Sequence, residues 1–296
     1  MQTTDHFRIG SVTKTFTAAT TLQLVDEGLV ELDQPVSTWL VGLHRGDEIT
    51  LRQLLQHTSG LPEVGTYSEV QAGIDQLWEA DELLALVEEL DAEPGEVWSY
   101  ANTNYIALGQ VIEAVTGQRW DEAVEARLLG PLSLAATTAP GGDEGWAETV
   151  PGWWDSEDTR EQVHPSVVGA SGAMVSDAAD VAAWGTELFS GEVLGSMGEQ
   201  LFAEPVVVVE DAVWMGLGAF VMDEAYDGVD PQMWHNGAIN GYGIVDGPPA
   251  WLGHHRGRAR ELLAGDFPGK LRPHPSPEGR RRDLGDPRGE CRGVAS

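Results

Sequence analysis

Residues 7–18 read FRIGSVTKTFTA, and the interpretation of the chain turns on two of them, Ser11 and Lys14. On a helix, residues three apart share a face, so the Ser11 hydroxyl and the Lys14 amine can reach hydrogen-bond distance. A serine hydroxyl is a poor nucleophile until a neighbouring base takes its proton, and an amine one turn away can do so. Phe16, Ala19, Leu24 and Val25 recur at helical spacing, which predicts a helix over residues 13–30 with Gly28 near its end. Ser11 then sits at a helix N-terminus, where free N–H groups favour developing negative charge. Alone the pair carries little weight, because a serine three residues before a lysine arises by chance about once in a chain of this length.

Working outward, two further groups qualify. Tyr100-Ala101-Asn102 lies inside PGEVWSYANTNYIALGQVIEAVTG, just before a predicted helix over 103–116. Side chains separated by one residue in an extended turn point the same way, so Tyr100 and Asn102 face one space. The Tyr100 hydroxyl can shuttle a proton if cations depress its pKa, and the Asn102 amide can hold both a lysine and a substrate amide. His235-Asn236-Gly237, in WHNGAINGYG, offers a polar or cationic ring, a glycine that permits close approach to a strand edge, and the backbone N–H of Ala238 for an oxyanion. Alone, the tyrosine triplet is as readily a structural loop as a site, and a histidine beside a turn is more often structural. His57, in LLQHTSGLP, is read as bracing its own loop, since Lys14 and Tyr100 already fill the base role. Trp146, Trp153 and Trp154 suit either a cleft floor or packing beneath a loop.

The three groups occur in the order Ser-x-x-Lys, Tyr-x-Asn, His-x-Gly, and the chain thereby resembles the serine hydrolases of the class C β-lactamase and D-alanyl-D-alanine carboxypeptidase family. FRIGSVTKTFTA, GLVELDQPV, LLQHTSGLP, PGEVWSYANTNYIALG and GASGAMVSDAADVAAW resemble it too, and together they span most of residues 7–245. Ser-Asp-Asn and Lys-Thr-Gly, the sister pattern of class A enzymes, are replaced by the Tyr-x-Asn and His-x-Gly forms. The resemblance implies an α+β fold, with an antiparallel sheet and a mainly helical subdomain over roughly residues 40–170. It implies an acyl-enzyme on Ser11, with Lys14 and Tyr100 moving its proton. Asn102, His235, Gly237 and Ala238 would bind substrate, with the N–H groups of Ser11 and Ala238 as oxyanion hole. No metal or organic cofactor is required. The substrate would be a small-molecule or peptide acyl compound: a D,D-peptide, a β-lactam or an ester. A non-catalytic penicillin- or peptide-binding module, or an inert fragment, is the alternative.

Composition sets the remaining bounds. The net charge of −31 disfavours nucleic acid as a partner and suits a salty medium that screens self-repulsion. Residues 1–245 hold 7 Lys+Arg against 41 Asp+Glu, whereas residues 246–296 hold 10 against 7, so the charge changes sign near Asp246. Seven prolines and nine glycines fall in that last segment, which reads as a disordered basic tail. Ten residues precede Ser11, where the family carries a helix and strands, and strands expected after His-x-Gly are replaced by the tail. The expectation is therefore a truncated member with a frame-shifted end and weak or no activity; a natural basic tail drawn to its acidic body is the competing view. The start, MQTTDHFRIG, lacks a secretory pattern, and no stretch reaches 18 uninterrupted apolar residues, so no transmembrane helix is expected. The single Cys291 excludes an internal disulfide. Further helices are predicted over 51–56, 79–90, 120–129 and 177–189, and strands over 206–209, 214–222 and 233–235.

Overall fold

The computed structural model describes residues 2, 4–140, 146, 149–190, 192–200, 205–209, 213–222 and 232–244. The predicted tail from Asp246 lies outside them. Eight α-helices are seen among the described residues: α1 (Thr13–Asp26), α2 (Leu51–Leu55), α3 (Ser68–Ala72), α4 (Ala80–Ala85), α5 (Asn102–Thr116), α6 (Trp120–Val124), α7 (Gly130–Leu132) and α8 (Ala178–Ser190). Ten short strands accompany them: β1 (Phe7–Arg8), β2 (Trp153–Trp154), β3 (Glu157–Asp158), β4 (Val175–Ser176), β5 (Val206–Val209), β6 (Val213–Met215), β7 (Phe220–Met222), β8 (Gln232–Trp234), β9 (Gly237–Ile239) and β10 (Tyr242–Ile244). All pair antiparallel, in the orders β1-β4, β2-β3, β5-β6-β7-β8 and β10-β9.

α1 is the axis of the molecule. It is entered through a 3-10 turn at Gly10–Val12 and left through Gly28, whose φ of +70° suits a residue without Cβ. Eleven of its 14 residues are buried, so it is enclosed on all sides and not merely amphipathic. Two of its enclosed threonines tie it to its surroundings: Thr17 donates to the Ala170 carbonyl at 2.7 Å, and Thr13 accepts from Met174 N at 3.1 Å. Phe16 stacks on Trp184 of α8 at 4.0 Å, and the Trp184 N–H donates to Thr15. α8 is capped by Asp177, which accepts from Ala179 N and Asp180 N. α5 ends at Gly117, also left-handed.

The main core surrounds α1, α2 and α5. A second, smaller cluster of Val213, Met215 and Phe220, with Trp234 of β8 packed on it, seats the β5–β8 sheet against Trp98 and Tyr100. The predicted strand over 214–222 is two strands, because a turn closed by Gly216 N and the Ala219 carbonyl folds it back.

Candidate active site

The local fold at Ser11 depends on two glycines. Gly10 has φ +50°, and a Cβ there would lie 2.9 Å from Ala238 N. A Cβ on Gly237 would lie 2.0 Å from the Ile9 carbonyl oxygen. Only bare backbone on both sides lets β9 press against the segment carrying Ser11. Gly237 is buried and Ala238 is exposed beside it.

Lys14 points from the first turn of α1 into a closed space, at 0% exposure. Its Nζ lies 3.1 Å from Ser11 Oγ, 2.6 Å from Asn102 Oδ1 and 2.8 Å from the Ser171 carbonyl oxygen. The Tyr100 hydroxyl lies beside Ser11, which eases its ionisation. Lys14 Nζ also lies 4.9 Å from the Tyr100 ring centre and 5.5 Å from that of Tyr105. Four sequence-predicted residues from two distant segments thus meet around one amine.

Burial disfavours charge and sets the protonation of the cluster. It pushes the Lys14 amine down to about 7, with the Glu63 carboxylate opposing in part. Burial pushes the Tyr100 phenol up, beyond the usual phenol range, although the neighbouring Ser11 pulls the other way. The condition read from the sequence, that cations depress Tyr100, is not met, because desolvation outweighs the other influences. A neutral lysine has two N–H donors, which match the Asn102 and Ser171 acceptors, and leaves a lone pair for the Ser11 proton.

His235 lies beside Tyr100, ring centres 6.4 Å apart. Its Nδ1 donates to the Asn236 carbonyl at 2.7 Å, and its buried Nε2 has no partner. Burial, then repulsion from Lys14, lowers it to about 3, so the ring is neutral at ordinary pH. Of the two possibilities read from the sequence, the polar ring is realised and the cationic one is not.

The Tyr100 loop is held by the HTSGLP segment. His57 stacks on Tyr100 at 4.3 Å, and its Nδ1 accepts from Ala101 N at 3.3 Å. The Ser59 hydroxyl donates to Asn104 Oδ1 at 2.5 Å, and Thr103 donates to the Pro62 carbonyl. Glu63 Oε2 accepts from Asn102 N at 2.6 Å, which fixes the first residue of α5. Two participants escaped the sequence. Glu63 follows a quoted phrase but belongs to no triplet, and Ser171 contributes only a carbonyl, which leaves no trace in side-chain identity. Trp146 is packing, its N–H donating to the Ala173 carbonyl, whereas Trp153 is 60% exposed. Among the described residues no group of three or more His, Cys, Asp or Glu is arranged to hold a metal ion.

The sequence profile described as Beta-lactamase matches residues 1–247. Penicillin-binding protein 4 of Amycolatopsis lactamdurans is 40% identical over 139 residues, covering 45% of this chain and 36% of that protein. This chain thus spans about a third of the length of the curated relatives it matches. Among solved structures, a D-stereospecific amidohydrolase from Streptomyces sp. superposes with a TM-score of 0.74 at 34% identity, over 81% of this chain and 77% of that one. The D-amino acid amidase of Ochrobactrum anthropi SV3, complexed with L-phenylalanine, gives 0.73 at 26% identity, over 82% and 74%. These neighbours share the β-lactamase/transpeptidase fold, the α+β arrangement expected from the sequence. With a profile match over residues 1–247 of 296, the chain belongs to the beta-lactamase family, whose members are serine hydrolases.

Proposed function

We propose that residues 1–245 form a serine acyl-hydrolase that is transiently acylated on Ser11. One observation carries it: the buried Lys14 amine, pushed down to about 7, lies 3.1 Å from Ser11 Oγ with its two N–H bonds already committed. Neutral Lys14 takes the hydroxyl proton as Ser11 Oγ attacks the carbonyl carbon. Negative charge develops on the carbonyl oxygen, facing the backbone N–H groups of Ser11 and Ala238. Tyr100, kept protonated by burial, gives a proton to the departing amine or alkoxide, and its phenolate recovers one from the Lys14 ammonium. Asn102 holds Lys14 and the substrate amide. Water then attacks the ester on Ser11 along the reverse route.

An amide of a D-amino acid is the favoured substrate class. Relatives named D-stereospecific amidohydrolase and D-amino acid amidase support it. The state of His235 supports it as well: a neutral ring gives a substrate carboxylate no counter-charge, so C-terminal peptides and penicillins lose an anchor that an amide does not need. The test is steady-state hydrolysis of D-phenylalaninamide, its L-enantiomer and a chromogenic cephalosporin, with Ser11→Ala as control. Turnover of the D-amide that vanishes in Ser11→Ala supports the proposal. No turnover with stable cephalosporin labelling indicates a binding module, and neither turnover nor labelling overturns the enzyme.

A further inference from the structure

We propose that Arg8 is a positioning residue: its guanidinium, clamped between Trp146 and Tyr242, holds the hairpin bearing Gly237 and Ala238 against Ser11. Its consequence for turnover rests on the Ser11 proposal above; the clamp itself does not.

Arg8 lies three residues before the nucleophile and is fully buried. Its guanidinium carbon sits 4.0 Å from the Trp146 ring centre and 4.9 Å from that of Tyr242. Nη1 donates to the Thr159 carbonyl at 3.3 Å and Nη2 to the Arg160 carbonyl. The aromatic partners are themselves anchored. Trp146 Nε1 donates to the Ala173 carbonyl at 2.8 Å, and the Tyr242 hydroxyl donates to the Val150 carbonyl at 2.5 Å. The Thr159 hydroxyl in turn donates to the Asn240 carbonyl at 2.5 Å, in the turn of the β9–β10 hairpin. One cation therefore ties together β1, the segment from Trp146 to Arg160, and that hairpin.

The hairpin transmits the hold to the site. Tyr242 pairs with Ile239, Gly243 with Ala238, and Ile244 with Gly237. Backbone meets backbone where Gly237 and Ala238 abut Ile9 and Gly10, so no side chain buffers a shift. Movement of the hairpin by about an ångström takes the Ala238 N–H out of reach of an oxyanion. Arginine suits the task because its planar group stacks on rings while its edge donates in plane; a lysine ammonium cannot do both.

Arg8→Lys, Arg8→Met and Tyr242→Phe in the full chain test this. Amide exchange of Gly237–Ile244 should quicken at least about tenfold in Arg8→Met, with α5 unchanged and Tyr242→Phe intermediate. In Arg8→Lys, measured well below its unfolding midpoint, kcat should fall about 10–100-fold with KM within about threefold. Unchanged hairpin exchange, exchange that rises equally in α5, or a loosened hairpin with wild-type kcat would each overturn the proposal. If Arg8→Met does not fold, Arg8→Lys carries the exchange measurement. A wild-type chain without turnover defeats the Ser11 proposal, while hairpin exchange still decides the clamp.

Discussion

At the scale of single residues the proposed chemistry depends on the protonation of Lys14. A base pushed down to about 7 must be neutral to accept the Ser11 proton, so kcat/KM should fall about tenfold per pH unit below about 7. A pH–rate profile checks this, and a flat profile from pH 5 to 8 would contradict it. Lys14→Arg keeps the charge but cannot lose its proton, and should cost about a thousandfold or more in kcat. Tyr100→Phe keeps the stack on His57 and loses only the hydroxyl, so kcat should fall about 10²–10⁴-fold while the unfolding midpoint barely moves. Ser11, Lys14, Tyr100 and Asn102 were legible because motif spacing reports which side chains share a face. The neutrality of His235 and the upward shift of Tyr100 were not, because burial is a property of the assembled fold. Glu63 and Ser171 were hidden for a related reason: backbone contacts select geometry, not a recognisable residue.

At the scale of elements, the HTSGLP segment and β9 are the supports on which the site stands. His57 has φ +56°, stacks on Tyr100 and accepts from Ala101 N, so its removal leaves a buried N–H unpaired. His57→Ala should destabilise by about 2–3 kcal/mol in urea unfolding; a change within about 0.5 kcal/mol would assign the loop's order to other contacts. Sequence periodicity located most elements and misjudged their ends. The helix predicted over 79–90 is confined to Ala80–Ala85, because the chain turns to bury Val87 and to donate Asp91 N to the Gly60 carbonyl. The helix predicted over 120–129 widens into a π-helix at Glu125–Leu129, just before Pro131, which has no N–H to continue the ladder. Asn102, read as part of an extended turn, opens α5 because Glu63 accepts its N–H.

At the scale of the molecule, charge is the governing quantity. Arg45, Arg52, Arg119, Arg127 and Arg160 already pair with neighbouring carboxylates, so most of the 41 acidic residues of the first 245 repel one another. Raising NaCl from about 0.1 to 1 M shortens the screening length from about 10 to 3 Å and should raise the unfolding midpoint by roughly 2–8 °C. A lowered midpoint would mean that the surface ion pairs outweigh the repulsion. Acid acts in the other direction through the buried histidines. His57 and His235 have folded-state pKa values below the ordinary 6.5, so on acidification the unfolded chain takes up protons first. Each should remove about 1.4 kcal/mol of stability per pH unit below about 6.5, for His235 down to about 3. Denaturant titrations from pH 7 to 5.5 in high salt, with His235→Gln halving the slope, would show it; equal slopes would not fit. The acidic surface was plain in the composition, whereas the pairing of Arg45, Arg52, Arg119, Arg127 and Arg160 needed the fold.

The central claim is that the Ser11 hydroxyl becomes a nucleophile because Lys14 takes its proton. Intact-mass analysis and peptide mapping after exposure to a fluorophosphonate test it most directly. A single adduct on Ser11, forming more slowly below pH 7 and absent in Lys14→Met, is the predicted result. An adduct on another residue, or Ser11 labelled equally fast in Lys14→Met, would contradict it.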